Sequence, residues 1–168
     1  PLMVVGAVNA YCAKMAERAG HKALYLSGAG VANASFGLPD LAITTLNDVA
    51  EDSRRITQAS SLPLLIDIDT GFGGAFSISR TIKEMIAADV AAVHIEDQVT
   101  QKRCGHRPNK SLVDKIEMSD RIKAAVDART DESFFIMART DSYATEGMEG
   151  AIDRCKEYIV AGADGLFL

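Results

Sequence analysis

Short, almost uninterrupted apolar runs recur along the chain with helix-like segments between them. This alternation constrains the fold more than any other feature. The runs are Leu2–Val8, Ala23–Leu26, Leu62–Ile68, Ala91–Ile95, Phe134–Ala138 and Gly165–Leu168. Strands that are apolar on both faces belong to a parallel sheet covered on both sides. Between them, Leu46–Ser60, Ser77–Ala88, Ser119–Thr130 and Gly147–Ala161 carry apolar residues at helical spacing. Residues Asp141–Glu149 show no strand pattern and read as a loop before the last helix. Strand–helix alternation defines an α/β protein with right-handed crossovers. Six strands in 168 residues fit a (β/α)8 TIM-type barrel with about six of its units present, or an open doubly wound sheet. The second option is disfavoured by the glycine-rich stretches. Gly28-Ala29-Gly30 and Gly71-Phe72-Gly73-Gly74 lack the full dinucleotide fingerprint, and neither leads into an obvious helix. The expected organisation is one barrel domain over residues 1–168, cut short at its C-terminal side, because an apolar strand such as Gly165–Leu168 needs neighbours.

A net charge of −5 excludes the basic stripe of a nucleic-acid binder. No apolar run reaches the length of a membrane span. Three scattered cysteines, Cys12, Cys104 and Cys155, make neither a disulfide framework nor a C-x-x-C zinc motif. A reducing, cytoplasmic setting is the simplest expectation.

Chemistry is written at the strand ends. Residues i and i+2 of a strand share a face. Four consecutive strands end in such polar pairs: Tyr25 and Ser27, Asp67 and Asp69, His94 and Glu96, Arg139 and Asp141. One pair alone is ordinary turn punctuation. Four of them, with a histidine and an arginine, place reactive groups on the C-terminal face of a barrel. Asp67 and Asp69 suit a hard cation that keeps several waters, which favours Mg²⁺ over Ca²⁺. Glu96 could join directly or through water. Ser27-Gly28-Ala29-Gly30 follows a strand and lets backbone amides approach an anion.

A long connection follows Glu96, and such loops in compact domains are usually functional or disordered. Its segment Gln101–Lys110 carries Lys102, Arg103, Arg107 and Lys110, with Cys104, Gly105 and His106 among them. Cations beside a thiol favour its thiolate. This composition fits a polyanionic substrate and a cysteine that exchanges a proton.

Lys102-Arg103-Cys104-Gly105-His106 resembles the signature of the isocitrate lyase and phosphoenolpyruvate mutase superfamily. Tyr25–Gly28, Gly37–Asp40, Asp67–Gly73, His94–Gln98 and Ile136–Asp141 fit that superfamily in order. Within it, the Lys-Arg-Cys-Gly-His-Arg-Pro-Asn-Lys run is most similar to the 2-methylisocitrate lyase branch. The resemblance implies Mg²⁺-dependent cleavage of the tricarboxylate (2R,3S)-2-methylisocitrate to pyruvate and succinate. It also implies a cysteine loop that closes over the substrate, and a homotetramer when the protein is full length. An isocitrate- or oxaloacetate-cleaving relative, or an inactive fragment, is the alternative. By match, Asp67 and Asp69 are the metal-site residues. Ser27, Gly28, Ala29, Cys104, Gly105 and Arg139 hold substrate, and Asp40, Glu96, Lys102, Arg103 and His106 support them. Cys104 is the candidate acid. Tyr25 and a hydroxide held on the metal are the candidate bases.

Overall fold

The computed structural model describes residues 1–168. Six parallel strands form one sheet in the order of the sequence: β1 (Val4–Gly6), β2 (Ala23–Leu26), β3 (Leu64–Asp67), β4 (Ala92–Glu96), β5 (Phe135–Arg139) and β6 (Gly165–Phe167). Between them run α1 (Ala10–Arg18), a helical turn α2 (Gly28–Gly30), α3 (Leu46–Thr57), α4 (Ala75–Ala87), α5 (Lys115–Ala128) and α6 (Tyr143–Val160). Each strand pairs only with its neighbours in sequence. This is the arc of a TIM-type α/β barrel. A doubly wound sheet would reverse its strand order midway.

The two faces of the sheet differ. Leu24, Leu26, Ile66, Val93, Ile95 and Ile136 are completely buried and share one core cluster with Val49, Ile56, Ile78, Ile82, Met118 and Ile122 of the helices. Burying each such side chain stabilises the fold by about 1.5–3 kcal/mol. The opposite face, with Tyr25, Leu65, His94 and Met137, lines an open groove. Leu65 and Met137 there are only half-buried. Apolar side chains thus occur on both faces, but the helices cover one.

Helix starts follow local capping. The Asn9 side chain accepts from the Cys12 amide at 2.9 Å. Thr45 and Asp48 form a capping box at α3, and Asp114 accepts from the amides of Ile116 and Glu117 at α5. Such caps contribute about 1 kcal/mol each. The Asp114 cap moves the start of α5 to Lys115 from the expected Ser119, and α3 ends at Thr57 and not at the expected Ser60.

Two larger corrections concern glycines. The expected loop over 141–149 is largely helical, because α6 starts at Tyr143 and absorbs Gly147 as a kink with φ 72°. Glycine reaches that left-handed region at no steric cost. Both glycine-rich stretches also run straight into helical structure. Gly28 opens α2, which continues as a π-helix over Val31–Ser35, and Gly74 is the N-cap of α4. Strand order, and not the missing helices, is therefore what excludes the dinucleotide fold. No helix is long and apolar enough to cross a membrane.

Candidate active site

The polar strand ends meet at one end of the sheet. Tyr25, Ser27, Ala29, Asp40, Asp67, Lys102, Cys104, Gly105, His106 and Arg139 line one cavity of about 340 Å³. Asp69 and Glu96 border it through their partners. Lys102 Nζ lies 2.5 Å from Asp69 Oδ1 and 2.6 Å from Asp40 Oδ1. Arg139 Nη1 lies 3.3 Å from Glu96 Oε2, and Nη2 lies 3.2 Å from Asp141 Oδ1.

The two aspartates converge, though not by strand alternation. β3 ends at Asp67, and Asp69 sits in a turn with φ 49°. An aspartate tolerates that left-handed conformation better than most residues. The Gly28 amide donates to Asp67 Oδ2 at 3.3 Å. A Cβ on Gly28 would stand 3.0 Å from Asp69 Oδ1 and 3.3 Å from Asp67 Oδ2. Both carboxylates therefore lean over one backbone position where a side chain would crowd them.

Burial sets the electrostatics. It pushes Asp69 up to about 7, helped by the charge of Asp67, and the Lys102 ammonium offsets this only in part. Burial works against ionised Asp67 as well, but His94, Lys102 and Arg139 outweigh it and hold that carboxyl below its ordinary value. One proton is thus favoured on the pair, as like charges in a shared site require. Burial also raises Glu96 well above the carboxylate range and lowers His94. Tyr25 OH and His94 Nε2 are hydrogen-bonded at 2.9 Å, with the donor set by the histidine tautomer. Burial and the Asp67 charge raise the Tyr25 phenol, which disfavours a free phenolate.

These residues fit a hard dication. Asp69 Oδ1 is buried with no aligned hydrogen-bond donor, despite its close charge contact with Lys102. Two buried carboxylates converging on one point suit Mg²⁺, which keeps several waters. No three acidic, histidine or cysteine groups gather at ligating range, so the protein offers two carboxylates. Glu96 is engaged by Arg139 and Gln98 instead.

Two of the four cations of the basic loop are paired within the protein and so do not face a substrate as free charges. Lys102 is buried on Asp69 and Asp40, and Lys110 is spent on Asp141 and the Gly105 carbonyl. Arg103, His106 and Arg107 have exposed side chains, while Cys104 is half-buried and faces the cavity. Gly105 packs directly against Arg139. A Cβ there would overlap Arg139 Nη2 and stand 2.9 Å from Asp141 Oδ1. Gly105→Ala should therefore lift the loop and lower kcat/KM by about 10²-fold, the usual effect of ångström-scale misplacement. A melting temperature near that of the parent protein would accompany the loss, and unchanged kcat/KM would refute the close packing.

Sequence reasoning missed two buried residues beside the site. Gln98 bridges Glu96, Asp141 and Arg103. Asp97 accepts from Thr140, Tyr158 and the Asp141 amide. The only signal was their position, as polar residues directly following a buried strand.

An arc of a TIM-type barrel that gathers acids, an arginine and a thiol at its C-terminal strand ends defines an enzyme-type site. The chain belongs to the phosphoenolpyruvate phosphomutase family, whose model matches residues 1–168. It is 68% identical to a 2-methylisocitrate lyase of Shewanella oneidensis, covering 99% of this chain and 57% of that protein. Its fold matches a crystal structure of 2,3-dimethylmalate lyase, a PEP mutase/isocitrate lyase superfamily member. The TM-score is 0.94 at 41% identity, over 99% of this chain and 57% of that one. A phosphonopyruvate hydrolase complex with oxalate and Mg²⁺ matches with TM-score 0.85 at 32% identity, over 98% of this chain and 56% of that one. The chain thus spans a little over half the length of these relatives.

Proposed function

We propose that this chain is the greater part of the catalytic barrel of a C–C lyase that cleaves (2R,3S)-2-methylisocitrate to pyruvate and succinate. The observation that carries this reading is the cavity shared by Cys104, Arg139 and Asp67 at the end of β3. The similarity to named 2-methylisocitrate lyases supports the choice of substrate.

Mg²⁺ held by Asp67 and Asp69 would polarise the oxygen that becomes the pyruvate carbonyl. The remaining work falls to side chains. Arg139 grips a substrate carboxylate, for which its planar fork is suited. Ser27 and Ala29, which line the same cavity, bind a second. The hydroxyl proton passes to the Tyr25 oxygen as Tyr25 gives its own proton to His94 Nε2, the C–C bond breaks, and its electron pair passes to the succinate fragment as an aci-carboxylate. Cys104 then donates its proton to that carbon. Tyr25 acts as a relay and not as a standing phenolate, because burial raises its phenol and its oxygen is hydrogen-bonded to His94 Nε2.

Comparing kcat/KM for 2-methylisocitrate, isocitrate and oxaloacetate in the full-length protein tests the substrate. Preference for either of the other two would overturn the assignment. One methyl group is worth only about 10–200-fold, so the margin over isocitrate is expected to be modest.

Stripping the metal with EDTA should abolish turnover, and Mg²⁺ should restore it. Because Asp69 titrates at about 7, it must lose a proton to hold the cation. Apparent Mg²⁺ affinity should then weaken by about tenfold for each pH unit below that value. Calorimetric titration in buffers on either side of neutrality reads this directly. A flat profile would show that Asp69 is already ionised across this range.

A further inference from the structure

The loop that carries Cys104 has a fixed neck. Gln98 and Leu112 form an antiparallel bridge. The Val99 amide donates to the Ser111 carbonyl at 2.9 Å, and the Val113 amide donates to the Asp97 carbonyl at 2.9 Å. Beyond that neck, one buried side chain reaches out to the segment before the thiol. Gln98 is completely buried. Its Oε1 accepts from the Arg103 amide at 3.1 Å, and its Nε2 donates to the Arg103 carbonyl at 2.9 Å. Both peptide groups of the residue preceding Cys104 are thus clasped by one amide.

The same Nε2 lies 3.1 Å from Glu96 Oε1 and 3.1 Å from Asp141 Oδ2. Those are the two carboxylates that flank Arg139. A flipped amide would aim its oxygen at both of them, so the orientation is fixed by chemistry. An amide nitrogen has two hydrogens, and three acceptors surround this one. When Arg103 takes one hydrogen, Glu96 and Asp141 share the other. The seat of the loop and the grip on Arg139 therefore draw on one donor group.

We propose that Gln98 is a positioning residue that seats Cys104 over the cavity and couples that seat to the carboxylates around Arg139. This deepens the reading of the Cys104 loop as the substrate cover and rests on it. Glutamine suits the task because it is neutral and offers both a donor and an acceptor at one tip. Glutamate would keep the acceptor for the Arg103 amide. It would also turn an oxygen toward the Arg103 carbonyl, Glu96 and Asp141.

The test uses the full-length protein and the variants Gln98→Glu and Gln98→Met, the latter filling similar volume with no hydrogen bonds. Two quantities are read. One is the rate of Cys104 alkylation by iodoacetamide, resolved from Cys12 and Cys155 by peptide mass spectrometry. The other is kcat and KM for 2-methylisocitrate with Mg²⁺. Loss of the clasp should raise the alkylation rate roughly tenfold, in keeping with one or two net hydrogen bonds. It should also lower kcat by about tenfold or more with little change in KM. A folded variant with alkylation and kcat both near the parent values would overturn the proposal. So would a fall in melting temperature with no change in either. If one variant fails to fold, the other carries the same readings. A parent protein that turns over none of the candidate substrates would sink the lyase reading, while the alkylation arm would still decide the clasp.

Discussion

Replacing Cys104 with alanine should lower kcat for 2-methylisocitrate by roughly 10²–10⁴-fold, the range for losing a positioned proton donor. The thiol lines the cavity together with Arg139, Tyr25 and Asp67. No other cysteine can substitute for it, since Cys12 lies in α1 and Cys155 is buried in α6. KM should change little, because the carboxylate-binding groups remain. Cys104→Ser keeps the shape and offers a much weaker acid, so it should be nearly as slow. The measurement is pyruvate release by the full-length protein, with circular dichroism to confirm folding. An alanine variant with full activity would remove the thiol from the mechanism.

Asp97→Ala should destabilise the protein by about 3 kcal/mol, near the lower end of what breaking a buried ion pair costs. Asp97 is fully buried behind the site. It accepts from Thr140 Oγ1 at 2.7 Å, Tyr158 OH at 2.8 Å and the Asp141 amide at 3.0 Å. Arg154 Nη1 lies 3.4 Å from it. One carboxylate thus joins the end of β4 to the end of β5 and to α6. Removing it strands several buried donors. Arg154 keeps Glu146, 2.6 Å away, which is why the cost falls near the low end. Tyr158→Phe, which removes a single partner, should cost only about 1 kcal/mol. Urea unfolding midpoints of the two variants give the comparison. An alanine variant no less stable than Tyr158→Phe would show that the network contributes little.

How the site reads from sequence depends on the range of each interaction. Asp67, Glu96 and Arg139 were legible because a strand forces its alternate residues to one face and its C-terminal end to one rim. Asp69 comes near Asp67 by a route other than strand alternation. The strand stops at Asp67, and a left-handed turn carries the second carboxylate back toward the first. Lys102 was legible as a cation but not as a buried one. Its partners Asp40 and Asp69 are 62 and 33 positions away in the chain, and no local pattern links them. Gln98 and Asp97 were invisible as site residues because their partners are also distant.

By itself, the sequence determined the parallel α/β architecture, the strand near whose C-terminal end each polar pair falls, and the family to which the chain belongs. Periodicity, caps and short motifs act over a few residues, so a one-dimensional reading captures them. Tertiary structure alone decided which sheet face the helices cover, and that Lys102 and Lys110 are spent on aspartates. It also decided that Gly105 fits beneath nothing larger than a hydrogen against Arg139, and that a single glutamine amide holds the residue before Cys104. Those outcomes depend on charges and donors brought together from distant positions. Burial makes each unpaired group costly enough to fix its partner.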